Sequence, residues 1–131
     1  MENQVTQELK KILYVEDEVD IQKVVKMTLE VIGDFDVLIC SSGPEALEKG
    51  PDFAPDMCLL DVMMPGMDGP ATLVALRELE AFANTPFAFL TAKVQGEEIA
   101  RYKALGAIDV IIKPFDPMSL PDQVREIWSR R

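Results

Sequence analysis

The chain has 131 residues, no histidine, two cysteines and a formal net charge of −10. That is one domain's worth of chain, long enough to bury about two-thirds of its unfolded surface and fold without staples. The composition excludes a Ser-His-Asp triad, a His-ligated zinc or haem and a four-cysteine metal site, and the acidic balance argues against attraction to nucleic acid or to an anionic membrane.

Residues 1–9 read as a short polar tail and 10–131 as the folded domain, and the first eleven residues lack the apolar stretch of a signal peptide. The longest uncharged run, 81–92, is twelve residues, short of the roughly 18–20 that a spanning helix needs. The chain therefore reads as a cytoplasmic protein with reduced thiols. An apolar run at 12–15 comes first, continuous rather than alternating, as in a strand buried on both faces. Helical spacing follows, with Ile21, Val24, Val25, Leu29 and Ile32 as the apolar stripe and Gly33 as its stop. A second run at 37–40 leads to a short helix predicted over 44–49, with Pro44 in its first turn and a break at Gly50 and Pro51. A third run, 57–60, precedes a loop rich in Met, Pro and Gly. A helix over 70–82 then carries Leu73, Leu76 and Leu79. The fourth run, 87–90, is followed by a helix over 97–105 closed by Gly106. The fifth, 110–112, is followed by a helix holding Leu120, Val124, Ile127 and Trp128, with Ser119 as the expected N-cap and Asp122 completing a short capping box. Five strand–helix alternations predict an α/β domain with a parallel sheet and right-handed crossovers.

Ligands of such sheets bind beyond the carboxyl ends of the strands. Glu16 and Asp17 follow the first run, Asp61 the third, Thr91 and Ala92 the fourth, and Lys113 the fifth. Parallel strands bring these groups to one edge. Three carboxylates in one place repel one another, by roughly 3 kcal/mol per pair at about 5 Å and an effective dielectric near 20. A hard divalent cation relieves that repulsion, and Mg2+ suits one or two carboxylates plus a phosphoryl oxygen. With Lys113 added the charges balance, and Asp61 remains available as a nucleophile toward phosphorus. The Thr91 hydroxyl and the Ala92 N–H suit a phosphoryl oxygen. The tight loop at 63–69 aims the Met63 carbonyl toward the cation.

These residues carry a resemblance. The run 12–18, Asp61 followed by the segment 64–69, the Thr91-Ala92 pair, and Gly106-Ala107 leading to Lys113-Pro114-Phe115 resemble the receiver domain of two-component response regulators, over about residues 10–130. The resemblance implies a flavodoxin-like fold, a five-stranded parallel sheet of order 2-1-3-4-5 flanked by five helices. It also implies roles. Asp61 is the phosphoacceptor. Asp17 binds Mg2+ directly, Glu16 through water, and Met63 through its main-chain carbonyl. Thr91 turns toward the phosphoryl group, Lys113 pairs with one of its oxygens, and the Lys113–Pro114 peptide is cis. The donor is a histidine kinase or a histidine phosphotransfer protein. The output is a protein partner on the face of the fourth helix, fifth strand and fifth helix, with no direct contact to nucleic acid or membrane. Two positions depart from the pattern. Val110 stands where the family commonly has Tyr or Phe, and Lys93 lies at a variable position near the phosphoryl group. Val110 motivates an alternative, a phosphorylation-independent adaptor on the same fold. In strand order 2-1-3, Cys40 and Cys58 lie about two strand spacings apart, beyond disulfide reach, so both thiols are expected to be free.

Overall fold

The computed structural model describes residues 8–92 and 95–131. Five strands, β1 (Lys11–Val15), β2 (Asp36–Cys40), β3 (Met57–Asp61), β4 (Phe87–Thr91) and β5 (Asp109–Ile112), form one parallel sheet of order β2-β1-β3-β4-β5. Five helices connect and follow them: α1 (Val19–Met27), α2 (Gly43–Phe53), α3 (Gly69–Arg77), α4 (Gly96–Ala104) and α5 (Leu120–Ser129). Each strand's side chains alternate between two cores. Ile12, Tyr14, Met57, Leu59, Ala88 and Leu90 face one side, where Val25, Leu29, Val124, Ile127 and Trp128 of the first and last helical segments cover them. Leu13, Val15, Cys58, Leu60, Phe87 and Phe89 face the other, under Ala46, Leu73, Leu76 and Tyr102. Covering both faces is why the runs are apolar throughout rather than alternating. Leu9, just ahead of β1, is also buried in the first core. Residues 1–7 of the expected tail and Lys93 lie outside the described residues.

Three sequence expectations change. The stripe after β1 is narrower than its spacing suggests: Val25 and Leu29 are buried, whereas Val24 and Ile32 are exposed. The helix widens into a π-helical turn at Thr28–Ile32, and the wider turn rotates Ile32 off the core-facing side. The helix expected to break at Gly50 and Pro51 instead runs through them to Phe53. Gly50 is buried against Phe82 and Leu13, so tertiary packing holds the last turn although Pro51 donates no hydrogen bond. Ala54, left-handed at φ 52°, then closes it by donating to the Gly50 carbonyl at 3.0 Å. The last helix begins at Leu120 as expected, but Ser119 is not its cap. A 3-10 turn, Pro117–Ser119, precedes it. Asp116 caps that turn, its carboxylate accepting from the Met118 N–H at 3.0 Å, and Ser119 already has helical dihedrals and makes no side-chain cap. The Lys113–Pro114 peptide is cis. Cys40 and Cys58 are both buried and free.

Candidate functional site

Strand register assembles the site. Val15 pairs with Leu60, Asp61 with Leu90, and Thr91 with Ile112. The residues that end β3 and β4 and those that follow β1 and β5 therefore crowd the carboxyl edge of the sheet. Carboxylate oxygens of Glu16, Asp17 and Asp61 lie within 4.8 Å of one another. Lys113 reaches in from the far strand, its Nζ 2.7 Å from Asp61 Oδ1 and 3.4 Å from Glu16 Oε1. Glu16 is fully buried, and Asp61 and Thr91 nearly so. Ala92 is exposed, and Met63 carries an exposed side chain in the loop after β3. The structure thus brings Glu16, Asp17, Asp61, Thr91 and Lys113 to one edge. It sets Ala92 and Met63 on the rim.

The loop after Asp61 is held tightly back against β3. The Gly69 N–H donates to the Val62 carbonyl at 3.0 Å. Asp68 caps α3, accepting from the Ala71 N–H at 2.9 Å. Any residue larger than glycine at position 69 would collide with the backbone, since a Cβ there would lie 2.4 Å from the Asp61 carbonyl oxygen.

Glu16 has more support than the motif suggests. The Tyr14 hydroxyl donates to its Oε1 at 2.9 Å and the Glu18 N–H to its Oε2 at 3.2 Å. Gln22, from α1, donates to its main-chain carbonyl. From the sequence alone Tyr14 is one more residue of an apolar strand run. Its parity was the available signal, because residues two apart on a strand share a face.

Burial, then the neighbouring Asp61 carboxylate, pushes the Glu16 carboxyl above its ordinary range. Burial likewise raises Asp61, with Asp17 adding to the effect and Lys113 opposing it. Burial pulls Lys113 down, but the carboxylates of Asp61 and Glu16 outweigh it and hold the amine above its usual value. Three carboxyls facing one ammonium group leave an excess of negative charge in a partly desolvated place. Two of the three carry raised proton affinities, which marks a site that gains from a further cation. The donors are all oxygen, so they fit a hard divalent ion such as Mg2+ rather than zinc or copper.

Beside Lys113 an open apolar groove of about 560 Å3 runs between α1 and the segment after β5, lined by Ile21, Val24, Ala92, Pro114 and Phe115. No helix among the described residues is long and apolar enough to cross a membrane.

Residues 12–125 match the family model described as the response regulator receiver domain. Over 121 residues the chain is 38% identical to the alkaline phosphatase synthesis transcriptional regulatory protein PhoP of Bacillus subtilis, covering 92% of this chain and 49% of that one. It is 38% identical over 122 residues to the transcriptional regulatory protein ResD of the same organism, covering 92% and 48%. The chain spans about half the length of these curated relatives. Among solved structures, the chemotaxis protein CheY4 of Vibrio cholerae is similar with a TM-score of 0.85 at 32% identity, covering 92% of this chain and 99% of that one.

Proposed function

Because the chain belongs to the response regulator receiver domain family of two-component signalling, we propose that Asp61 accepts a phosphoryl group from a phosphohistidine on a separate protein, a histidine kinase or a histidine phosphotransfer protein. The carrying observation is the buried Asp61 carboxylate with Lys113 Nζ at 2.7 Å and the Glu16 and Asp17 carboxylates beside it. An Asp61 carboxylate oxygen attacks phosphorus, a P–O bond forms, and the P–N bond to the donor imidazole breaks. The product is an acyl phosphate. Lys113 stays with the acceptor side and stabilises charge on a phosphoryl oxygen. The Thr91 hydroxyl and the Ala92 N–H take two further phosphoryl oxygens. Glu16, Asp17, Asp61 and the Met63 carbonyl would hold Mg2+, which supplies charge neutralisation and orientation of the phosphoryl oxygens. Tyr14 and the Glu18 N–H keep the Glu16 carboxylate aimed at the site. The chain promotes only its own phosphorylation and dephosphorylation, acts in the cytoplasm, and signals through a protein partner on the face of α4, β5 and α5, without touching nucleic acid or membrane itself.

The apolar groove beside Lys113 gives the donor a place to dock within reach of Asp61, and the exposed Val24 on its wall is the test position. Incubation with acetyl phosphate and Mg2+ is expected to add the mass of one phosphoryl group to the wild type and none to Asp61→Asn. Val24→Glu is expected to keep that reaction and to slow transfer from a phosphohistidine protein at least tenfold. A wild type that gains no phosphoryl mass overturns the reading. Equal affinity for a partner with and without phosphorylation would favour the adaptor instead.

A further inference from the structure

The five helices are not held equally. Of α5, five residues are buried, Leu120, Pro121, Val124, Ile127 and Trp128, and of α3, four. In α4 the only buried residue is Tyr102. Ile99 is half-buried, and the rest of α4 is polar or faces solvent. The Tyr102 ring stands edge-on to Phe89, with centroids 5.1 Å apart and planes at 62°, a favourable aromatic geometry. Phe89 lies two residues before Thr91 on β4 and is paired in register with Val110 on β5. Val110 is short and branched, so the aromatic partner of Phe89 comes from the helix and not from the neighbouring strand.

We infer that Tyr102 is the positioning residue through which α4 follows the carboxyl end of β4: a single aromatic anchor on a lightly packed helix, coupling the Thr91 end of the site to the face that α4 presents. An element with few buried contacts opens at low free-energy cost, and one anchor gives it one point of control. The coupling half of this inference rests on the proposed phosphoacceptor role of Asp61; the anchoring half does not.

The test uses the full chain, with amide exchange read helix by helix and backbone NMR shifts read with and without Mg2+ plus beryllium fluoride as a phosphoryl analogue. In Tyr102→Leu, exchange of the α4 amides is expected to rise at least tenfold while α3 and α5 change by less than about twofold. On adding the analogue, shifts around Asp61 and Thr91 are expected to persist while the coherent α4 shift is lost. Tyr102→Phe, which keeps the ring, is expected to behave as wild type in both measurements. Exchange unchanged in α4, or raised equally in every helix, overturns the inference, as does an α4 response to the analogue in Tyr102→Leu equal to the wild type's. If wild type shows no shift at Asp61, the phosphoacceptor reading and the coupling half fall together, while the exchange comparison still decides the anchor.

Discussion

A Cβ on residue 69 would meet the Asp61 carbonyl oxygen at 2.4 Å and the Val62 Cα at 2.9 Å. Both are backbone atoms with no rotamer to escape into. Gly69→Ala is therefore expected to cost about 1–3 kcal/mol, as overpacking does. The displaced backbone carries the proposed nucleophile. The phosphorylation rate by acetyl phosphate, measured where the variant is fully folded by urea titration, is thus expected to fall as well; a stability loss with an unchanged rate would break the link. The two cysteines illustrate the opposite case, reactive groups made inert by place. Burial pushes the Cys40 thiol up to about 12 and Cys58 higher still. At pH 8 a thiol-reactive dye is expected to label neither in the folded chain and both in denaturant, since the thiolate is the reacting form. Their separation across β1 was legible in the sequence once strand order was assumed. The support of Glu16 by Tyr14 was not, because an apolar run gives no reason to ask what a single hydroxyl touches.

At the scale of elements, strand positions followed directly from continuous apolar runs, because strands buried on both faces admit few polar residues. Helix ends were less legible. Pro51 has the local chemistry of a stop, yet Phe82 and Leu13 pack against Gly50 and keep the turn. Asp116 and Ser119 are both competent caps, and only the added 3-10 turn decides between them. The proposed output face has its own local tie. Asp109, at the start of β5, pairs with Arg130 beyond the end of α5, accepts from the Val110 N–H at 2.8 Å, and lies 4.0 Å from Lys103 of α4. Burial raises the Asp109 carboxyl, but Arg130, the Val110 N–H and Lys103 outweigh it and hold it below its ordinary range. A depressed folded-state value means the stabilisation is full above the unfolded value near 3.9 and is lost as pH falls through the folded one. Asp109→Asn is expected to be less stable than wild type by under about 1 kcal/mol at pH 7, since the pair is partly exposed. The gap should close as pH falls through that depressed folded-state value, and equilibrium unfolding at several pH values checks it. A gap that widens in acid would contradict the assignment.

The whole molecule carries a net charge of −10, and screening of that charge predicts some stabilisation by any salt. The site predicts something different. Glu16, Asp17 and Asp61 concentrate negative charge within 4.8 Å at one sheet edge, where burial already raises two carboxyls, with the Asp61 charge adding to the effect at Glu16 and the Asp17 charge at Asp61. A divalent ion that binds the folded edge and not the unfolded chain adds RT ln(1 + [L]/Kd), about 1.4 kcal/mol at ten times Kd. For a domain of this size that is a rise in Tm of roughly 5 °C. Mg2+ is therefore expected to raise Tm in wild type well beyond NaCl of matched ionic strength. Asp17→Asn should lose most of that excess while keeping the shared response to salt, since the substitution removes one oxyanion and leaves the rest of the surface charge in place. If Mg2+ and matched NaCl shift wild type equally, the acidic edge is only one part of an acidic surface, and the cation assigned to it falls. If the excess persists undiminished in Asp17→Asn, the ion sits elsewhere. Thermal unfolding across the two proteins and the two salts separates a built site from diffuse charge, without requiring phosphorylation to occur.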